Sequence, residues 1–434
     1  MILAINGGKK IRNKPFPSQL TISVQESAAI NQVLKNKILS GYRGNFSSNF
    51  WGGEYVQKLE KKICTKFNIK YALAVNSCTS ALQIACGAIG LQPGDEVIVT
   101  PWSMSCSATA PLVWGAVPIF ADIEKDYFCL DPKSIESKIT KKTKAIIVVD
   151  LFGQMYAKEI NDIANKYNLF IIEDAAQSIG ATCTHDIIDK SKKYYAGGLG
   201  HIGCYSFTQG KHITAGEGGM IVTNNSKLME KAALIRNHAE AVINDMPEQI
   251  QLENYMSYNF VGFNMRMTEI QAAILIEQLD KLGNFITKRI EISKDFIKLE
   301  NIPYIKKYPV RKNYKHVYYC LPFKYNGKEA PIHRDIFINA VKAELTHEDN
   351  RIDRGIPISC GYIKPLNDFP IFKAKLHWAL KNNRYSINNT PVAKYLYEDE
   401  LFLTLYHALP LNGTDIKDII DAFFKVHENI EELI

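Results

Sequence analysis

One lysine lies between an apolar strand pattern and a glycine-rich turn in the stretch CYSFTQGKHITAGEGG, residues 204–219. Small residues surround Lys211, and partial removal of an amine from water favours its neutral, nucleophilic form. A lysine in that environment can bond to a carbonyl compound as an imine. Taken alone, the stretch still favours a simpler interpretation, in which Lys211 is a solvated surface lysine before a turn.

Asp174 supplies a second indication of chemistry. It ends the apolar β pattern LFIIED, residues 169–174, and a carboxylate at a buried strand end is costly unless it meets a cation. Pyridoxal phosphate (PLP) offers that cation, because its protonated ring nitrogen pairs with an acid while its aldehyde bonds to a lysine. The alternative role for Asp174 is a helix N-cap, which the sequence DAAQ also suits.

A third stretch could bind a phosphate group. In NSCTSALQIA, residues 76–85, small hydroxyl residues lead from a strand pattern into a helix. Free N–H groups at a helix N-terminus attract anions, and the hydroxyls of Thr79 and Ser80 would add donors. Ser206, shortly before Lys211, is a further candidate phosphate ligand. This indication is weak by itself, because most helices begin with a capping residue of this kind.

These candidates depend on an α/β framework between about residues 54 and 285. Short β-rich runs alternate with helical periods such as 80–90, 157–167 and 226–236, which predicts a buried, mostly parallel sheet flanked by helices. Ligands collect at the carboxyl ends of strands in such sheets, so we expect the three candidate stretches on one rim. The predicted strands are YALAV (71–75), EVIVT (96–100), VPIFAD (117–122), AIIVVD (145–150), LFIIED (169–174), IGCYSF (202–207) and GMIVT (219–223).

The remaining segments indicate the domain organisation. The polar segment 184–198 is predicted to be a loop or small insertion, either a lid or a plain surface loop. After a long helical pattern over 267–300, the sequence changes to short strands, prolines and a terminal helix near 414–433. We therefore predict a large cofactor-binding domain with an N-terminal arm over 1–285 and a smaller C-terminal α+β domain over 286–434.

Composition argues against several classes of protein. The 434 residues include 52 basic and 45 acidic side chains, a net charge of +7, without a basic block, so we expect no nucleic-acid partner. The nine cysteines are scattered without a C-x-x-C pair, which favours reduced thiols over a disulfide framework or a metal site. No stretch reaches the roughly 18 apolar residues of a membrane span. We expect a cytoplasmic protein without a metal ion or a membrane partner.

Four motifs in one order resemble the DegT/DnrJ/StrS-type sugar aminotransferases, a branch of the fold type I PLP-dependent enzymes. They are NSCTSAL, EDAAQSIGA, SFTQGKHITAGEGG and GFNMRMTEIQAA (262–273), and the resemblance extends over nearly the whole chain. It implies a fold type I PLP-transferase: an α/β large domain with a mostly parallel mixed sheet, a smaller C-terminal α+β domain, and a homodimer with shared active sites. By this resemblance Lys211 is the catalytic lysine that bonds to PLP.

The resemblance also implies roles for the other motif residues. Asp174 would pair with the pyridine nitrogen, and Gln177 would contact the ring on its hydroxyl side. The implied ligands of the phosphate group are Cys78, Thr79 and Ser206, and Asn264 and Arg266 would reach the neighbouring subunit's site.

Two positions depart from the family pattern. Met104 stands where members commonly place an aromatic residue over the cofactor ring, and Trp102 lies two residues earlier. A thioether can also lie on a ring face, so the sequence leaves open which of the two residues stacks on the cofactor. Cys78 occupies a position where glycine or alanine is usual, either as a small buried filler or as an oxidation-sensitive thiol.

The activity that the resemblance implies is transfer of an amino group from glutamate or glutamine to a keto sugar. The acceptor would be a nucleotide-linked keto-deoxysugar, for surface polysaccharide or amino-sugar biosynthesis. Its diphosphate could meet basic residues, although each could equally be a solvated surface group: Arg43, His212, His238 and Lys315.

Three other functions remain open alternatives. One is an aminotransferase of cyclitol ketones, and another is a PLP-binding regulator without catalysis, although no helix-turn-helix pattern supports the regulator. The third is a sugar dehydratase of the related branch, which carries histidine where the lysine stands. The five-residue spacing from Ser206 selects Lys211 and not the adjacent His212.

Overall fold

A mixed β-sheet forms the centre of the computed structural model, which describes residues 1–17, 21–44, 47–185, 189–240, 261–346, 358–360, 364–381, 389–405 and 411–434. The strands of these ranges are β1 (Tyr71–Val75), β2 (Glu96–Val99), β3 (Val117–Phe120), β4 (Thr143–Val149), β5 (Phe170–Asp174), β6 (Thr182–His185), β7 (Asp189–Tyr195), β8 (Ile202–Ser206), β9 (Gly219–Thr223), β10 (Ile305–Lys307), β11 (Tyr314–Lys315), β12 (Cys320–Tyr325), β13 (Ile358–Cys360) and β14 (Leu401–Leu405). Seven of them build the central sheet in the order β1-β9-β8-β5-β4-β2-β3. The strands from β8 to β3 are parallel, whereas β9 is antiparallel to β8 and to β1.

Helices cover both faces of the central sheet. Along β1, Leu73 and Val75 pack with α3 and α7, while Ala72 and Ala74 point to the opposite face and pack with α2 and α8. This alternation follows from the period of two in a strand. The helices are α1 (Val24–Asn36), α2 (Glu54–Phe67), α3 (Cys78–Ala88), α4 (Cys106–Thr109), α5 (Pro132–Glu136), α6 (Glu159–Tyr167), α7 (Ser226–Arg236), α8 (Glu269–Asp295), α9 (Arg334–Ala343), α10 (Pro370–Lys373), α11 (Trp378–Lys381), α12 (Pro391–Tyr395) and α13 (Gly413–Glu428).

The predicted α/β fold with a mostly parallel mixed sheet is confirmed, and each predicted strand of the central sheet is present. The segment predicted as a loop or small insertion contains regular structure. The polar stretch 184–198 contains β7, which pairs with β6 as an antiparallel hairpin, and β11 extends this hairpin to three strands. The described residues of the segment therefore contribute to a small separate sheet, which agrees with the predicted alternative of a small insertion and not with an irregular loop.

A second sheet and a second core lie in the C-terminal part of the chain. Strands β10, β12, β14 and β13 form an antiparallel sheet in that order, and α9 and α13 pack on the same hydrophobic cluster. Leu3 and Phe16 belong to this cluster as well. The division at residue 285 stays a prediction, and we propose that the first residues of the arm pack with the C-terminal domain.

Within the described ranges, no helix combines the length and the apolar character needed to cross a bilayer.

Candidate active site

A cavity of about 300 Å³ opens where several strands of the central sheet end. Val149, Asp174 and Ser206 are the last residues of β4, β5 and β8, and all three line it. The cavity thus lies at the carboxyl ends of parallel strands, the usual ligand position in such sheets. The residues that line it are Ser77, Cys78, Thr79, Ser103, Met104, Cys106, Val149, Asp174, Ala176, Gln177, Ser206, Thr208, Lys211, Glu217 and Tyr319.

Lys211 enters the cavity from the loop between β8 and β9. Phe207 N–H donates to the carbonyl oxygen of Gly218 (2.9 Å), which closes the base of this loop. Gly216 adopts φ +82°, a left-handed conformation that strains other residues. The Nζ atom of Lys211 lies 4.4 Å from the centroid of the Tyr319 ring, close enough for a cation–π interaction. The loop therefore holds the amine against an aromatic face inside the cavity.

Asp174 is 3% exposed, and protein groups contact both of its carboxylate oxygens. Oδ2 accepts a hydrogen bond from Ser107 Oγ (2.7 Å), and Oδ1 accepts one from the N–H of Ala176 (3.2 Å), with Cys78 Sγ at 3.9 Å. Burial raises the pKa of Asp174 above its ordinary value, and these three groups and Lys211 oppose that rise. A cation placed against the carboxylate would further favour the ionised form.

The alternative role of Asp174 as a helix N-cap does not agree with its surroundings. Residues 176–180 form a turn, and the next regular element is the strand β6. The carboxylate therefore has no helix to cap.

The first turn of α3 faces the same cavity. Ser77 Oγ accepts the N–H of Ser80 (3.1 Å) as the N-cap. Cys78 and Thr79 line the cavity, and their N–H groups lie in the first turn, where the helix itself offers no carbonyl acceptor. The start of β9 passes close to this turn, because a Cβ atom on Gly219 would lie 2.5 Å from the Ser77 carbonyl oxygen. Glycine at position 219 thus lets the strand approach the anion-attracting helix end.

The sequence motifs also predicted Gln177 and Ser206 as residues of the site. Gln177 Oε1 accepts the N–H of Phe152 (2.8 Å), and Gln177 is 3% exposed. Ser206 is 7% exposed. Both side chains line the cavity. Ser206 is the last residue of β8, and Gln177 lies in the turn after β5.

The two candidates for the ring face have different surroundings. Met104 is 55% exposed and lines the cavity. Trp102 is fully buried, packs edge-to-face against Phe128 and Phe152, and does not line the cavity. Of the two residues, only Met104 can reach a ligand in the cavity without rearrangement.

Asn264 and Arg266 lie outside the cavity of their own chain. Arg266 Nε donates to Asn264 Oδ1 (2.9 Å), and its guanidinium lies 5.6 Å from the Tyr42 ring centroid. The backbone of Arg266 forms a bridge to Val75 at the end of β1. The structure therefore does not bring this pair to the cavity within one chain, and its implied role in a neighbouring subunit's site stays a prediction.

His212 points away from the cavity, into the core. Its Nε2 atom lies 3.0 Å from the carbonyl oxygen of Val317, which can only accept, so Nε2 carries the proton. Burial, and then the charge of Arg289, lowers the pKa of His212 well below its ordinary value. The geometry thus presents Lys211, and not the adjacent histidine, to a ligand. The other basic candidates for a diphosphate contact, Arg43, His238 and Lys315, are likewise absent from the cavity lining.

Sequence reasoning missed two residues of the site, one that lines the cavity and one that contacts Asp174. Tyr319 comes from the chain before β12 and carries no motif, so only tertiary packing brings it to Lys211. Ser107 contacts Asp174 from α4, and the serine-rich run SMSCS at 103–107 was the one available indication of a polar surface there.

The residues of the cavity fit PLP. Lys211 can bond to the aldehyde, the buried carboxylate of Asp174 can face the ring nitrogen, and the first turn of α3 with Ser206 can bind a phosphate group. A volume of about 300 Å³ lies at the lower end of the roughly 300–1,000 Å³ typical of small-molecule sites. Together these groups define a site of the lysine-dependent PLP enzymes.

Comparison with known proteins agrees with this class. The DegT/DnrJ/EryC1/StrS aminotransferase family matches residues 34–424, and the chain belongs to this family. It is a fold type I PLP-dependent sugar aminotransferase.

Individual relatives match over almost their full length. The UDP-4-amino-4,6-dideoxy-N-acetyl-beta-L-altrosamine transaminase of Campylobacter jejuni is 29% identical, over 96% of this chain and 98% of the relative. The L-glutamine:2-deoxy-scyllo-inosose aminotransferase of Streptomyces kanamyceticus is 28% identical, over 98% and 96%. A solved structure of E. coli GDP-4-keto-6-deoxy-D-mannose-3-dehydratase with bound hydrated PLP is 26% identical with a TM-score of 0.74, covering 96% of this chain and 100% of that chain.

Proposed function

We propose that the protein transfers the amino group of glutamate or glutamine to the keto group of a nucleotide-linked deoxysugar, for polysaccharide or amino-sugar biosynthesis. The observation that carries the proposal is the meeting of Lys211, Asp174 and the start of α3 in one cavity. Each of these groups has a counterpart in PLP. Asp174 ends β5, Cys78 begins α3, and Lys211 lies in the loop between β8 and β9.

The proposed roles of the side chains follow from their chemistry. Bound in the cavity, PLP would supply an electron sink and carry the amino group between donor and acceptor. Lys211 Nζ takes the proton from the α-carbon of the amino donor and, in the reverse sense, returns a proton to the acceptor. Asp174 holds a proton at the ring nitrogen through its negative charge. One base serves both half-reactions because they are mirror images.

The remaining cavity residues bind and orient. The N–H groups of Cys78 and Thr79, with the hydroxyls of Thr79 and Ser206, provide donors for a phosphate group at the helix end. Gln177 lies beside Asp174 after β5 and would contact the ring on its hydroxyl side. Met104 supplies a thioether at the open side of the cavity, where it can cover a ring face.

A cyclitol ketone is the second candidate acceptor. It is favoured by the almost full-length match to the cyclitol aminotransferase of Streptomyces kanamyceticus. That enzyme is 28% identical to this chain, and the nucleotide-sugar transaminase of Campylobacter jejuni is 29% identical. A dehydratase reaction is disfavoured, because Lys211 lines the cavity and His212 is buried against Val317.

We also propose a homodimer in the cytoplasm. Arg266 and Asn264 lie outside their own cavity, which supports a role across a two-fold interface, where each would reach the partner's phosphate site. All nine cysteines are free thiols, as expected in a reducing compartment.

The proposal is tested by separate half-reactions of the purified enzyme. Glutamate and glutamine are each added to the PLP form, and loss of the cofactor's visible absorption is recorded in a single turnover. Nucleotide-linked keto-deoxysugars and keto-cyclitols are then compared for restoring that absorption, with the aminated product identified by mass spectrometry. We expect restoration by a nucleotide-linked sugar. Restoration by a cyclitol ketone alone would contradict the proposed acceptor, and the Lys211→Ala variant serves as the inactive control.

A further inference from the structure

Two buried serine hydroxyls form a chain that ends on Asp174. Ser107, in α4, is fully buried and lies 2.7 Å from Asp174 Oδ2. Ser103, 2% exposed, lies 3.0 Å from Ser107 Oγ. Ser103 lines the cavity, whereas Ser107 does not. Ser107 therefore contacts the carboxylate from outside the cavity lining, while Ser103 lies at the cavity wall.

The direction of both hydrogen bonds follows from the charge of Asp174. An ionised carboxylate can only accept, so the Ser107 hydroxyl donates its single proton to Oδ2. The contact between the two serines then requires Ser103 to donate to Ser107. Both hydroxyl dipoles thus point towards the negative charge, and successive hydrogen bonds polarise one another in the same sense.

We propose that Ser107, aligned by Ser103, is a positioning residue that keeps Asp174 ionised and fixes the orientation of its carboxylate towards the ring nitrogen of PLP. This inference rests on the role proposed above for Asp174. Support is needed at this position because burial opposes a negative charge, and a hydrogen bond to the charged form favours that form.

The other groups around Asp174 do not replace Ser107. Lys211 is the charged side chain that acts on it, but its amine would be used in bonding PLP. The neighbouring thiols stay neutral, since burial raises the pKa of Cys106 to about 11 and raises the pKa values of Cys78 and Cys204 well above the ordinary thiol value. The Ala176 N–H bond, at 3.2 Å, is longer than that from Ser107. Among the groups that lower the pKa of Asp174, the Ser107 hydroxyl acts most strongly.

The first measurement is the thermal midpoint of the full-length protein, freed of PLP, as a function of pH. Ser107→Ala is compared with Ser107→Thr, which keeps a hydroxyl, and with the matched control Ser293→Ala. Ser293 is 2% exposed and its Oγ donates to the Ile290 carbonyl oxygen (2.7 Å) in α8, outside the cavity lining.

The deficit in thermal midpoint of Ser107→Ala should change with pH in one direction. Asp174 already has a raised pKa in the folded state, so its ionisation costs stability as pH rises through that pKa. Ser107→Ala raises this pKa further, and its deficit in midpoint should therefore grow with rising pH. We expect a smaller deficit for Ser107→Thr and a pH-independent one for Ser293→Ala. A pH-independent deficit in Ser107→Ala would overturn the proposal.

The second measurement uses the PLP-loaded enzyme and relates the hydroxyl to Asp174. Loss of a charge-assisted hydrogen bond should lower kcat by about tenfold in Ser107→Ala, with little change in Ser107→Thr. In an Asp174→Asn background the same substitution should change kcat by less than about twofold, because the charge that it supports is gone. Equal effects in both backgrounds would contradict the proposal.

The two proposals fail in different ways. Wild-type kcat in Asp174→Asn overturns the proposed role of Asp174, whatever Ser107 does. An impaired Asp174→Asn together with an unimpaired Ser107→Ala overturns only the role of Ser107. If Ser107→Ala does not fold, Ser103→Ala removes the outer donor without altering position 107. Its midpoint deficit should also grow with pH, and a constant deficit would count against the proposal.

Discussion

At the scale of single residues, the structure gives different surroundings to Met104 and Trp102, the two residues that the sequence left as alternatives for stacking on the cofactor ring. Met104 lines the cavity, while Trp102 is buried among aromatic side chains. The first is placed to contact a cofactor ring and the second to stabilise the fold. Substitutions at the two positions should therefore change different measured quantities.

We predict that Met104→Ala weakens PLP binding by about three- to tenfold, the range expected for loss of a thioether–aromatic contact. Trp102→Phe should leave the dissociation constant of PLP unchanged and lower the thermal midpoint, because it leaves a gap between Phe128 and Phe152. Titration of the cofactor-free protein with PLP gives the dissociation constants. Weakened binding in Trp102→Phe with normal binding in Met104→Ala would reverse the assignment.

The site residues that the sequence predicted are those with local motifs. Asp174 ends an apolar run, Thr79 stands at a helix start, and Lys211 follows an apolar run between Ser206 and a glycine-rich turn, so strand topology brings all three to one rim. Ser107 and Tyr319 could not be found in this way. Their positions depend on how α4 and the chain before β12 pack against the sheet, and no local pattern encodes that packing.

At the scale of elements, a buried pair of carboxyl groups joins the ends of β4 and β5. Asp150 directly follows β4, and Glu173 precedes Asp174 in β5. The Glu173 carboxylate accepts three backbone N–H groups, from Gly197 (2.7 Å), Leu199 (3.1 Å) and Gly200 (2.9 Å). Burial raises the pKa of both carboxyl groups, and each hydrogen-bonds to the other.

We assign the proton shared by the two carboxyl groups to Asp150. The three N–H donors favour the ionised form of Glu173. Within the described part of the chain, Asp150 accepts one backbone N–H, from Tyr156 (2.9 Å), and the hydroxyl of Ser178 (2.8 Å). Asp150 N–H also donates to the carbonyl oxygen of Asp174 (3.1 Å). The pair therefore stabilises the strand end that carries the candidate catalytic carboxylate.

We predict opposite outcomes for two isosteric substitutions in this pair. Glu173→Gln replaces an acceptor oxygen by an amide that faces backbone N–H groups, and should destabilise the protein by about 2–4 kcal/mol. Asp150→Asn keeps a donor towards Glu173 and should stay within about 1 kcal/mol of wild type. The comparison is made by denaturant unfolding at neutral pH. Similar losses in both variants would show that the proton is not placed as we assign it.

The pH dependence of Asp150→Asn provides a second check. Because the folded-state pKa of Asp150 is raised, the wild-type protein loses stability as pH rises from the ordinary aspartate range towards that pKa. Asparagine does not titrate, so the variant should lose less stability over the same interval. Thermal midpoints recorded from mildly acidic to alkaline pH measure this difference, and parallel curves for the two proteins would contradict the assignment.

The elements themselves were predictable where apolar runs are continuous. The strands of the central sheet are buried on both faces, so they appear in the sequence as short runs of β-branched and aliphatic residues. The hairpin of β6 and β7 was missed because it pairs with itself and with β11, away from the central sheet. Its register, such as Thr182 opposite Tyr195, does not require an apolar pattern.

At the scale of the whole molecule, the proposed homodimer predicts complementation between two inactive variants. Lys211→Ala and Arg266→Ala should each be inactive or strongly impaired as homodimers. If Arg266 acts in the partner's site, one site of a mixed dimer contains both an intact Lys211 and an intact Arg266. Activity should then return on mixing under subunit exchange, up to about one quarter of the wild-type value at equal amounts, because half of the dimers are mixed and each has one complete site.

The control for this experiment combines two residues of a single cavity. Lys211 and Asp174 line the same cavity of one chain, so mixing Lys211→Ala with Asp174→Asn should restore no site. Differently tagged subunits and native mass spectrometry establish that mixed dimers have formed. Lack of recovery with Arg266→Ala, in the presence of mixed dimers, would place Arg266 within its own subunit's function or outside the reaction.

The central claim is that Lys211 is the lysine that bonds to PLP, and chemical trapping tests it most directly. Borohydride reduces a lysine–aldehyde imine to a stable amine, so the purified PLP-loaded enzyme is reduced, digested and analysed by mass spectrometry. We predict a pyridoxyl-phosphate modification on the peptide that contains Lys211, and its loss in Lys211→Ala. Modification of a different lysine in the wild-type enzyme, or none at all with PLP bound, would contradict the account.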